Sequence, residues 1–149
     1  MKRFRFSLEK LLELREYREK EAEQDLARAM GELTSIEARI RSVAEERVLV
    51  AADRFAPGRS AADMRNAEFY ILRLDKMKDS LIEAAAKAEL LVEAARDAFV
   101  EASRDKKVLE KLKDKRKSEY RKSTVIEEIK VVDDISSGSA ARRGVNDGA

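Results

Sequence analysis

Side chains able to do chemistry are abundant in this sequence, but of only two kinds. Aspartate and glutamate number 30 and lysine and arginine 32, against no histidine and no cysteine. Without histidine the chain lacks the commonest general base and the commonest metal ligand. Without cysteine it has neither a disulfide nor a thiol nucleophile, which fits a reducing compartment. Its serines and threonines have no histidine to activate them, and no glycine-rich phosphate loop occurs. The carboxylates fall on helix faces with no pocket to perturb them. This inventory predicts no enzyme, no cofactor and no metal, and points to a protein that works by gripping other proteins.

Three segments are candidates for that grip. Residues 104–122 are strongly basic: Arg104, Lys106, Lys107, Lys111, Lys113, Lys115, Arg116, Lys117, Arg121 and Lys122 stand against Asp105, Glu110, Asp114 and Glu119. One reading is a solvated helix face supported by local ion pairs. The other is an electrostatic contact with an acidic partner. Nucleic acid is a weaker version of the second, because net charge is only +2 and no aromatic stacking platform accompanies the cations. At the N-terminus, Phe4, Phe6, Leu8, Leu11, Leu12 and Leu14 form a wider apolar surface than one helix seam needs. They serve packing, a binding end, or both. In residues 66–74, Phe69, Tyr70, Ile71 and Leu72 cover nearly the whole circumference of a helix. A two-stranded coil buries only part of that, so either some of it is exposed for interaction or the tip is locally overpacked.

The elements that position these segments are helices. Charged residues make up 42% of the chain and aromatics 5%, with one proline and five glycines, the composition of long helices. After Ser7, a plausible N-cap, a 4-3 apolar spacing runs Leu8, Leu12, Arg15, Glu19, Ala22, Leu26, Ala29, Leu33, Ile36, Ile40, Val43, Arg47, Val50. That is a coiled-coil signature. Ala56-Pro57-Gly58-Arg59-Ser60 breaks it, and Ser60 with Asp63 resembles a cap for a second helix. A second seam follows: Tyr70, Leu74, Met77, Leu81, Ala84, Ala88, Leu91, Ala95, Ala98, Ala102, Asp105, Leu109, Leu112.

The fold class is therefore all-α: a long antiparallel two-helix coiled coil, or αα-hairpin. Helices are expected over 7–55 and 61–134, joined by a turn at 56–60, with a disordered tail over 136–149. At ~1.5 Å per residue the first helix would reach roughly 70 Å and the second roughly 100 Å. Turning near Pro57 pairs Val50 with the neighbourhood of Met64 and Leu8 with Lys106. Everything after about Leu109 then overhangs without an internal mate. A parallel homodimer is the rival arrangement, and it needs the chain to stay extended through Pro57-Gly58. The basic start is followed by no apolar signal region, and no stretch approaches the ~20 apolar residues that span a bilayer. A cytoplasmic location follows, with membranes reached only through protein partners.

The opening Phe4-Arg5-Phe6-Ser7-Leu8-Glu9-Lys10-Leu11-Leu12-Glu13-Leu14-Arg15 resembles the start of the flagellar export protein FliJ family. The resemblance continues through the charged block 16–33 and returns at Asn66, Tyr70, Ile71 and Leu74. It implies a two-helix coil similar to the central stalk subunit of rotary ATPases. It implies insertion of the terminal end into the ring of the flagellar export ATPase FliI, contact with the export gate protein FlhA, and escort of emptied export chaperones. Its place would be the inner face of the cell membrane at the flagellar base. On this reading Phe4, Phe6, Leu8 and Leu11, with Lys107, Lys111, Lys115 and Arg116, meet the ATPase. Asn66, Tyr70, Ile71 and Leu74 match the region that meets the gate. The alternatives are a generic cytoplasmic coiled-coil scaffold and a rotary-ATPase stalk-like subunit, which predicts a globular segment between the helices.

Overall fold

A computed structural model describes residues 3–146, with side chains as far as Ala140. Two helices account for nearly all of it: α1 (Glu9–Asp53) and α2 (Ala61–Asn146), with no strand among the described residues. They pack antiparallel as a coiled coil. The chain divides into two units. A bend unit comprises Tyr17–Ser103, and a terminal unit comprises Met1–Glu16 with Arg104–Ala149.

α1 follows its sequence closely. Every position of the 4-3 seam from Leu8 to Val50 is buried or half-buried, including Arg15, Glu19 and Arg47. The first helical hydrogen bond runs from Leu12 N–H to Leu8 O at 2.9 Å. The cap position therefore falls on Leu8 and not on Ser7, which lies in the preceding turn. Glu9 occupies the first turn, where a carboxylate complements the helix dipole.

The connection is built as its residues dictate. Arg59 N–H donates to Ala56 O at 3.3 Å, with Pro57 and Gly58 between them. Gly58 has φ +86°. Proline at the second position and a positive-φ glycine at the third make a type II turn. Ser60 then caps α2 reciprocally. Its N–H and hydroxyl donate to Asp63 Oδ2 at 2.9 and 2.8 Å, while Asp63 N–H donates back to Ser60 Oγ at 3.1 Å. This is a capping box with aspartate in the carboxylate role.

α2 departs from expectation in three ways. The first is its packing face. Leu74, Leu81, Ala88, Ala95, Ala102 and Leu109 are buried or half-buried as the spacing predicts. The second column of the seam, however, is Ile71, Lys78, Ala85, Val92, Phe99, Lys106 and Lys113. The expected column was one residue earlier: its members Tyr70, Met77, Leu91 and Ala98 are exposed, while Ala84, Asp105 and Leu112 are half-buried. Both columns flank the same shared one, so both satisfy a 4-3 rule. The three together are wider than one facing helix covers. Lysines fit the observed column by laying their stems along apolar surface and keeping the ammonium in water.

The second departure is register. In the bend unit Arg47 Nε meets Asp75 Oδ1 at 2.5 Å, and Arg54 pairs with Glu68. In the terminal unit Lys113 Nζ donates to Glu9 at 2.8 Å. Each pairing lies about two helical turns beyond the expected one. The reason is the connection: the first turns of α2 are spent returning past residues 54–60 before α2 reaches α1. Leu109 is consequently buried, and Tyr120 meets Phe4 with ring centroids 5.6 Å apart. The stretch expected to overhang from Leu109 is thus packed as far as Tyr120.

The third is length. Helix continues past the expected end at 134 to Asn146, while residues 147–149 of the expected tail lie outside the described residues. Extending a helix adds one bond per residue fixed and needs no new nucleus. The Ser136 and Ser139 hydroxyls bond the carbonyls of Asp133 and Ser136 three residues back.

The core of the bend unit is Val43, Leu74 and Leu81, with Ile36 and Ile40 packed against them. Among the described residues Leu74 is the most completely buried large side chain, at 2% exposure. Burial of a leucine on that scale contributes about 1.5–3 kcal/mol.

Candidate protein-interaction surfaces

In the terminal unit, Phe6 and Leu12 are buried with Leu109, and Phe4 and Leu8 are half-buried. Leu11 stays exposed. An open cleft is lined by Phe4, Arg5, Phe6, Glu9 and Lys113. Bonding to Glu9 raises the Lys113 ammonium above its ordinary value, against a smaller opposing effect of desolvation. Arg15 pairs with Asp105, and Lys106 lies 3.7 Å from Glu110. Part of the basic segment is therefore spent on internal pairing.

Lys107, Lys111 and Lys115 are different. They are exposed, and their four-residue spacing puts them on one face of α2, roughly opposite Leu109. Arg116 is also exposed but lies off that face. Of the residues expected to meet the ATPase, the fold thus gathers Phe4, Phe6 and Leu8 into packing against α2. It leaves Leu11 and the four cations on the surface.

In the bend unit the four residues expected to meet the gate separate. Ile71 and Leu74 are 5% and 2% exposed and belong to the core. Asn66 is exposed. Tyr70 is partly exposed, and its hydroxyl donates to Glu46. That hydrogen bond, more than desolvation or the glutamate's charge, raises the phenol above its ordinary value. Beside Tyr70, Phe69 and Leu72 are well exposed, as the crowded circumference of residues 69–72 predicts.

Sequence reasoning missed Val48, Leu49 and Phe55, which are also exposed. An apolar groove runs over Arg41, Ala44, Glu45, Val48 and Leu49. The signal was present in the run Val48-Leu49-Val50, since three successive apolar residues cannot all face one seam.

Among the described residues no three metal-capable side chains converge. No helix among them is long and apolar enough to cross a membrane. Two long helices packed antiparallel define a protein of the coiled-coil class. A family model described as flagellar FliJ protein matches residues 4–145, and the chain belongs to that family. No match was found among curated proteins or among solved structures.

Proposed function

We propose that this chain is a non-enzymatic component of the flagellar type III export apparatus. In this reading it links the FliI ATPase ring to the FlhA export gate and escorts emptied export chaperones. It acts in the cytoplasm and reaches the membrane at the flagellar base through its protein partners. The observation that carries the reading is the family match over residues 4–145. The geometry supports it with two separate surfaces. The terminal unit offers Leu11 and the exposed Lys107, Lys111 and Lys115 to an acidic partner surface. The bend unit offers Asn66, Phe69, Tyr70 and Leu72, braced by Ile71 and Leu74 beneath.

A stalk-like subunit of a rotary ATPase fits less well. Between α1 and α2 lie only residues 54–60, with no room for a globular segment.

The test is a pull-down of the purified FliI ATPase with the full chain and with Lys107→Glu, Lys111→Glu and Lys115→Glu combined. The triple variant should keep its helicity and lose binding by about tenfold or more. Unchanged affinity would return that face to simple solvation. Failure of the wild-type chain either to bind the ATPase or to raise its activity would end the coupling role. Tyr70→Ala should weaken capture by the FlhA cytoplasmic domain while leaving ATPase binding intact.

A further inference from the structure

Within the bend unit, α2 carries two apolar columns beside a shared one, and only one of the two is in use. The shared column, Leu74, Leu81, Ala88 and Ala95, is buried or half-buried. On one side of it Ile71, Lys78, Ala85, Val92 and Phe99 are buried or half-buried as well. On the other side stand Tyr70, Met77, Ala84, Leu91 and Ala98, of which only Ala84 is half-buried and the rest are exposed.

The flanking columns are close rivals. Ile71, Val92 and Phe99 are the large apolar members of the first, and Tyr70, Met77 and Leu91 those of the second. The first also holds Lys78, whereas the second holds no charge. Apolar burial therefore favours neither strongly. Contacts at the margin mark the column in use: Arg47 pairs with Asp75, Arg54 with Glu68, and Tyr70 donates to Glu46. The side chains of the two ion pairs are between 28 and 53% exposed, so each pair is worth little.

We propose that α2 of the bend unit is a two-position element. It exchanges these columns by turning about 50° on its own axis, half the angle between successive residues. In the second position Tyr70, Met77 and Leu91 enter the seam, and Ile71, Val92 and Phe99 leave it. The exchange governs a surface. Tyr70 is open to a partner only in the first position, so a partner that grips Tyr70 selects that position. Regulation of the gate contact in this way rests on Tyr70 meeting FlhA.

Two distant substitutions test the exchange by urea unfolding. Met77 is 39% exposed and Val92 6%, and roughly 22 Å of helix separates them, beyond the range of direct coupling. Met77→Asp should be nearly silent in the wild-type chain. In a chain carrying Val92→Asp, which drives α2 to the second position, it should lower the folding equilibrium constant by about tenfold or more. Equal effects in both backgrounds would overturn the proposal. Should Val92→Asp not fold, cysteine locks decide. The chain has no cysteine, and Val43, in the core with Leu74 and Leu81, lies level with Met77 and Lys78. An oxidised pair of Val43→Cys with Lys78→Cys holds the first position, and one of Val43→Cys with Met77→Cys the second. Both should close with helicity intact by circular dichroism. Nitration of Tyr70 by tetranitromethane, mapped by mass spectrometry, should persist in the Lys78 lock and be largely lost in the Met77 lock. A Met77 lock that does not close, that costs helicity, or that leaves Tyr70 as reactive as before would overturn the proposal. The Met77 lock should also lose capture by the FlhA cytoplasmic domain, and equal capture by both locks would overturn the regulation. If the wild-type chain does not bind that domain, the gate reading falls, while unfolding and nitration still judge the exchange itself.

Discussion

Gly31 and Gly58 are the same residue type in opposite situations. Gly31 sits within α1 with nothing within 4 Å of where a Cβ would be, so only the cost of helical glycine remains. Gly31→Ala should raise stability by about 1 kcal/mol in urea unfolding. Gly58 has equally open space but φ +86°, where a Cβ strains against the backbone. Gly58→Ala should lower stability by about 1 kcal/mol. Asp63 gives a pH signature. Ser60 donates to it, first through its backbone N–H and then through its hydroxyl, and holds its carboxyl below the usual carboxylate range. A carboxyl lowered in the folded state contributes stability above its unfolded value, near pH 4, and loses it as pH falls through the folded value. Asp63→Asn should therefore flatten the decline of the urea midpoint below about pH 4.

At the scale of the element, the packing face of α2 is the point to test. Leu74→Ala removes a fully buried side chain and should cost about 2–5 kcal/mol. Leu91 is 60% exposed, and Leu91→Ala should stay within about 0.5 kcal/mol. Had the seam followed Tyr70, Met77 and Leu91, the two losses would be alike, so thermal melts of this pair separate the two frames. The same comparison shows what the amino-acid order reveals. In α1 the charged columns beside the seam leave one face available, and its spacing could be read directly. In α2 three adjacent columns are largely apolar, and periodicity alone does not choose between the two frames. The turn was legible from Pro57-Gly58 and the cap from Ser60 and Asp63. Register was not, because a sequence does not show how much chain a connection consumes before the helices meet. That misplacement made Leu109 and Tyr120 look unpartnered. Exposed Lys107, Lys111 and Lys115 followed from composition, whereas the exposed apolar side chains from Val125 to Ile135 escaped notice by lying off the frame of the main seam.

For the whole molecule, these local differences predict uneven stability. Amides around Leu74, Leu81, Ala88 and Val92 lie where burial is deepest and should exchange with solvent only through global opening. Amides after Tyr120, in helix whose large apolar side chains are exposed, should exchange earlier by fraying in a dilute sample. Hydrogen-exchange mass spectrometry on overlapping peptides reads both. The displaced column in the bend unit has a mechanical consequence as well. Sliding α2 along α1 must break the Arg47 pair with Asp75 and unseat Leu74 and Leu81 from Val43. Rolling α2 about the line through Leu74, Leu81 and Ala88 keeps those side chains seated; it gives up the partly exposed Arg47 pair, worth little, and exchanges the column of Ile71, Lys78 and Ala85 for that of Tyr70, Met77 and Ala84. Rotation about that line is the soft coordinate of the coil and translation the stiff one, so torque is the load to which this pair of helices yields first.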